Sequence, residues 1–150
     1  MIDFRLKSLK ENMSGLIFEF AIPPFKDYCW NETSKYLAEN AFNFIESIIY
    51  NNVPKYQNHG HWGKTEVNKK QWFLIKSSLI KLKQKLDHSL NLIELEHDLY
   101  DFKFIFDNDL QEMTNNFYKY KSSFSQMIGD FITWIDDNIQ KYGSIYILGI

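Results

Sequence analysis

Apolar and polar positions change period several times along the chain, and each change predicts an element. In SGLIFEFAIPPF, Leu16, Phe18 and Phe20 alternate with Ile17, Glu19 and Ala21 before Pro23-Pro24 ends the run. Proline lacks the N–H that a ladder or helix needs, so the stretch predicts a short strand or extended arm at about 15–22. Asn31 is a suitable N-cap, with Ser34 beyond it. The apolar positions Tyr36, Leu37, Ala41, Phe44, Ile45, Ile48 and Ile49 then recur at three and four residues, which predicts an amphipathic helix to about Tyr50. Asn51-Asn52 and Pro54 end it.

Tyr56 to Thr65 holds two glycines and two histidines without periodicity and reads as a loop. A second helix starts at Val67 or Asn68, with Trp72, Leu74/Ile75, Leu79, Leu82 and Leu86 at helical spacing, and reaches Asp87-His88-Ser89. From Leu92 to Trp134 thirteen apolar residues follow one another at intervals of three or four, nearly a heptad pattern. YDFKFIF also alternates well enough for a strand, and DND at 107–109 is a natural cap. The spacing therefore predicts one helix from about Leu90 to Phe106 and another from Leu110 to Lys141, with Gly143 as the C-terminal cap. SIYILGI reads as a terminal strand or docked tail at about 144–149, whose natural partner is the segment at 16–21.

These elements amount to one domain, 1–150, of mainly α class: long packed helices with a small β element joining the N-terminal and C-terminal segments. The alternative is α+β. A chain of 150 residues fits one such unit. Aromatics at 17% predict a ring-rich core, in which Trp30, Trp72 and Trp134 are expected by their spacing. The single cysteine, Cys29, excludes an intramolecular disulfide and a cysteine zinc cluster and fits a reducing compartment. The N-terminus lacks the uninterrupted apolar core of a secretory signal, and no apolar run approaches the roughly 20 residues that span a bilayer. The expectation is a cytoplasmic protein without a membrane partner.

Charge changes the picture more by its distribution than by its sum of −2. Residues 51–88 carry eight lysines against Glu66 and Asp87, a net +6. Residues 89–115 carry seven acids against Lys103, a net −6. Either the two segments face each other across a helical hairpin, or one presents a field to a charged partner. Glu94, Asp98 and Asp101 share a face if the segment is helical, and with Asp109 they are the acids expected to meet a partner.

Candidate chemistry is sparse. His59 and His61 flank one glycine and suit a metal ion in geometry, but zinc needs three or four ligands, and neither H-E-x-x-H nor paired cysteines occur. No metal and no cofactor are expected. Trp62 beside them either plugs the core or anchors a partner. Ser122, Ser123 and Ser125 lack a nucleophile elbow, and no P-loop or G-x-G-x-x-G turn is present, so no catalytic residue is expected. The spaced lysines of the second helix, beside Trp72 and Phe73, leave nucleic acid as a minor possibility; the net charge argues against it as the partner.

Three stretches, HWGKTEVNKKQWFLI at 61–75, GDFITWIDDNI at 129–139 and GSIYILGI at 143–150, resemble small bacterial immunity proteins of polymorphic toxin and contact-dependent growth inhibition systems. The resemblance covers about a third of the chain and rests on aromatics and turns. It implies a non-enzymatic, cytoplasmic inhibitor that binds and neutralises a cognate toxin domain by occluding its surface. The acidic segment further suggests a toxin that cleaves nucleic acid, since such enzymes carry basic clefts. Two alternatives stand beside it: a small metal-binding protein or enzyme using His59 and His61, and a helical oligomerisation or interaction module whose aromatic stripe packs against a second copy.

Overall fold

The computed structural model describes residues 1–25, 29–56 and 63–149. In chain order these form β1 (Ile17–Ala21), β2 (Lys35–Ala38), the short helices α1 (Glu39–Phe42) and α2 (Glu46–Asn52), β3 (Gly63–Asn68), α3 (Lys69–His88), α4 (Asp107–Asn115), α5 (Phe117–Tyr142) and β4 (Ser144–Gly149). The strands make one antiparallel sheet in the order β2-β1-β4-β3. The class is therefore mixed α+β rather than mainly α, with a sheet twice as wide as the two-segment element expected.

The expected pairing of the ends is present at the sheet's centre, where Phe18 opposes Gly149 and Phe20 opposes Ile147. Two outer strands had no clear signature. Gly63–Asn68 carries only Thr65 and Val67 as inward residues between Lys64, Glu66 and Asn68, a faint alternation that reads as loop and helix start. Lys35–Ala38 reads as the first turn of a helix, yet it pairs with β1, so Leu37 enters the core while Tyr36 lies under the opposite face. The helix expected to about Tyr50 is thereby reduced to α1 and α2. Every residue from Ala41 to Ile49 is buried, so this is a stretch wrapped on all sides rather than an amphipathic surface helix.

α3 begins at Lys69, just past the expected start at Val67 or Asn68, and Asn68 is its N-cap rather than its first residue. The Asn68 carboxamide oxygen accepts the Gln71 N–H at 2.9 Å, and the Gln71 side chain accepts the Asn68 N–H at 2.9 Å. Trp72, Ile75, Leu79, Leu82 and Leu86 are buried, and α3 runs antiparallel to α5, whose Phe124, Ile128, Phe131, Ile135 and Ile139 face inward. Gly143 ends α5 in the left-handed conformation, φ 74°, where a side chain would be strained. The helix expected over 110–141 is broken at Asn116, whose side-chain amide donates to the Glu112 carbonyl at 3.0 Å.

The core lies between the two long helices and one face of the sheet. Phe20 meets Phe131 at 4.6 Å between ring centroids, and Phe18 stacks on Phe42 at 3.9 Å. Phe4 joins a second ring cluster with Phe44, Tyr120 and Phe124. The sheet's other face is covered in part by the segment after β1, with Phe25 edge-on to Tyr146 and Trp30 stacked on Tyr36. Of the tryptophans expected inside, Trp72 is fully buried and Trp134 half-buried, but Trp30 is exposed at 46%.

Glu19 explains the placement of Trp30. It is the one acid in an otherwise apolar strand, fully buried, and its oxygens accept the Trp30 N–H at 2.7 Å, the Asn31 N–H at 2.9 Å and the Asn31 side-chain amide at 3.0 Å. Trp30 sits at φ 65°, so two successive N–H groups converge on one carboxylate and turn the indole outward. The Tyr36 hydroxyl lies 3.1 Å from Glu19 and 2.7 Å from the Asn31 carbonyl, sharing its single proton between them.

Candidate partner-binding surface

The acidic segment connects α3 to α4, and it is not the continuous helix its spacing predicts. Ser89 ends α3 and is fixed from both sides: its hydroxyl donates to the Lys85 carbonyl at 2.6 Å, and Lys121 donates to its own carbonyl at 2.8 Å. Asn91 then caps a single 3-10 turn, Leu92–Leu95, by a reciprocal pair in which Glu94 accepts the Leu90 and Asn91 N–H groups at 2.6 and 3.1 Å. The regular leucines keep their inward role without helical continuity, with Leu92, Leu95, Leu99 and Ile105 all buried.

A second turn, Tyr100–Phe102, is left-handed throughout. Three consecutive residues with side chains have φ of 54°, 56° and 59°. Each such residue costs roughly 1–2 kcal/mol, and the cost is tolerated because the surrounding backbone is fully used: Asp101 N–H donates to the Glu96 carbonyl at 2.8 Å, Phe102 to Leu99 at 3.0 Å and Lys103 to Tyr100 at 3.1 Å. Glycine adopts this conformation without penalty. Asp101→Gly is therefore expected to raise stability by about 1 kcal/mol, read from the urea midpoint; a loss would show that Asp101 is held by contacts of its own.

The structure gives the predicted acids separate tasks. Glu94 is spent on the capping pair. Asp98 is ion-paired with Lys85 of α3 at 2.6 Å, which joins the basic and acidic segments directly. Asp101 stands exposed on the left-handed turn. Asp109, in the first turn of α4, has its carboxyl held above the usual range by burial and by the neighbouring Glu112, whereas Glu112 is held below its own by the hydrogen bond it accepts from the Tyr120 hydroxyl. The exposed acids Glu96, Asp101 and Asp107 make no ion pair among the described residues. His59, His61 and Trp62 lie outside the described residues.

Large apolar side chains emerge among these acids. Leu90 and Ile93 are each 67% exposed, Phe106 is 53% exposed and Tyr100 is 43% exposed. Beside them the rings of Tyr50, at the surface of α2, and Phe104 lie 5.3 Å apart, and Tyr100 lies 6.4 Å from Phe104. The sequence did not single out this group, because YDFKFIF looks like a helix or a strand. Its readable signal was a lysine set between aromatics in an otherwise acidic run.

Elsewhere a groove of about 630 Å³ runs between α3 and α5 and holds Lys83, Asp87, Lys121 and Ser125. The Ser125 hydroxyl donates to Asp87, whose other oxygen takes Lys83 at 3.1 Å. Burial raises the Asp87 carboxyl, and these two donors outweigh it and hold the carboxyl below its usual range. Among the described residues no three His, Cys, Asp or Glu side chains gather as a metal site, and no helix is long and apolar enough to cross a membrane.

Compared with known proteins, the chain matches no family model, and no curated protein or solved structure matches it.

Proposed function

We propose that the chain is a non-enzymatic immunity protein, acting in the cytoplasm, that binds a cognate toxin domain and occludes its nucleic-acid-cleaving surface. One observation carries this reading: Leu90, Ile93, Tyr100 and Phe106 are exposed along the same segment as Glu96, Asp101 and Asp107, acids without an ion pair among the described residues, and that segment is anchored from beneath by buried leucines. Exposed apolar anchors within a field of one sign are what a fast, tight protein contact requires. A basic cleft that attracts nucleic acid is attracted by the same field, and a net −6 segment repels nucleic acid itself. The resemblance of 61–75, 129–139 and 143–150 to immunity proteins supports the role independently of the surface.

The test co-expresses this chain with the C-terminal fragment of a large secreted protein that the immunity reading expects in the adjacent reading frame. Co-expression is expected to protect cells, and the purified pair to associate at a rate that falls steeply with salt. Changing Glu96, Asp101 and Asp107 together to lysine is expected to slow association on the order of tenfold or more at low salt and to flatten the salt dependence. These three positions leave the Glu94 cap and the Asp98–Lys85 pair intact. Absence of protection by the unaltered chain defeats the reading; protection with an unchanged rate in the triple variant places the contact on another face.

A further inference from the structure

Lys103 is the only cation among seven acids between residues 89 and 115, yet it makes no ion pair among the described residues. Its ammonium lies instead over three aromatic faces, 5.6 Å from the Tyr100 centroid, 5.9 Å from Tyr50 and 6.0 Å from Phe104. Asp98, in the same acidic segment, is ion-paired with Lys85. The rings, rather than the carboxylates, hold the charge.

The three rings come from separate pieces of backbone that are each fixed. Tyr50 stands on α2, whose preceding residues are buried. Tyr100 is set by the left-handed turn, whose N–H groups are all engaged. Lys103 is exposed, so its departure uncovers the rings without opening the core.

We propose, resting on the immunity reading, that Tyr50, Tyr100 and Phe104 form a cation cage that accepts an arginine side chain of the protein partner, with Lys103 as the internal occupant it displaces. A guanidinium is flat, weakly hydrated and stacks on aromatic faces better than an ammonium. The surrounding acids raise the local concentration of such a group. A partner selected by a −6 surface presents arginines and lysines there, and the cage favours the arginine.

The probe is an acetyl-Gly-Arg-Gly amide peptide, compared with its neutral citrulline counterpart and followed by the ring-proton resonances of Tyr50, Tyr100 and Phe104. The arginine peptide is expected to shift all three saturably and to return the Lys103 side-chain signals to solvent values, and the citrulline peptide to do neither. Lys103→Ala removes the internal competitor and is expected to tighten binding roughly two- to fivefold. Tyr100→Leu and, separately, Phe104→Leu are expected to abolish it, with the rest of each spectrum reporting an intact fold. Equal response to both peptides, or no saturable shift even in Lys103→Ala, overturns the cage. The experiment needs no toxin, so the two readings fail separately: toxin neutralisation with unresponsive rings removes only the cage, and a working cage without protection removes only the immunity role.

Discussion

Replacing Glu19 by alanine is expected to cost about 3–5 kcal/mol of folding stability, one of two strong effects foreseen for single substitutions. The carboxyl group is fully buried, and among the described residues it meets only donors: two backbone N–H groups of Trp30 and Asn31, the Asn31 amide and a share of the Tyr36 proton. Alanine leaves these donors facing an apolar void. It also releases Trp30 from φ 65°, a conformation held by this carboxylate and by stacking on the Tyr36 ring. At roughly 2–4 °C per kcal/mol for a chain of this size, the melting temperature falls by an amount calorimetry resolves easily. Glu19→Gln keeps one accepting oxygen and turns an NH2 toward the remaining donors, so an intermediate loss is expected. A loss below about 1 kcal/mol for the alanine variant would mean that water or a rearranged loop satisfies these groups.

Trp72→Ala is expected to cost a similar amount, about 3–5 kcal/mol, by a different route. The indole is completely buried where α3 crosses the sheet, edge-on to Phe131 at 5.9 Å, and its N–H donates to the Ile145 carbonyl at 3.2 Å. Truncation removes a large apolar volume and leaves a cavity between rigid elements that cannot collapse onto one another. Trp72→Phe separates the two contributions: it retains most of the volume, loses the hydrogen bond and is expected to cost well under half as much. Urea unfolding of both variants checks this. Equal losses would assign the effect to the hydrogen bond rather than to packing.

The elements that sequence pattern anticipated are those whose information is local. The start of α3 was expected within two residues of where it falls, and the capping pair of Asn68 and Gln71, three residues apart, makes that start a local matter. Leucines and isoleucines at helical spacing make α3 and most of α5 without reference to the rest of the chain, and Gly143 accommodates the left-handed end of α5. The alternation of Leu16–Ala21 and of 144–149 marked two strands, and their apolar character made them partners for each other.

The segment from Leu90 to Phe106 shows where that logic stops. Apolar residues every three or four positions are needed by a helix, but they are equally served by successive tight turns that each bring one side chain inward, as Leu92, Leu95, Leu99 and Ile105 do. No glycine or proline announces the break. The left-handed residues 100–102 are held there by hydrogen bonds to Glu96 and Leu99 and by the ring contacts of Tyr100, all of which exist only after the turn has formed. The candidate surface was legible as charge, through its net −6, and not as geometry: which acids are spent on caps and ion pairs, and which aromatics face outward, depends on neighbours distant in the chain such as Lys85 and Tyr50.

The sequence by itself determined most of the two long helices and the Gly143 cap of the second, the pairing of the chain's two ends, the ring-rich core and the separation of basic from acidic segments, because caps, periodicity and charge act over a few residues. Tertiary structure alone decided that Lys35–Ala38 and Gly63–Asn68 become strands, that Glu19 is buried and Trp30 exposed, and that Lys103 rests on three rings. Those outcomes are set by pairing energy along an existing sheet edge and by donors and ring faces brought together across the fold, which outweigh the weak local preferences of the residues involved.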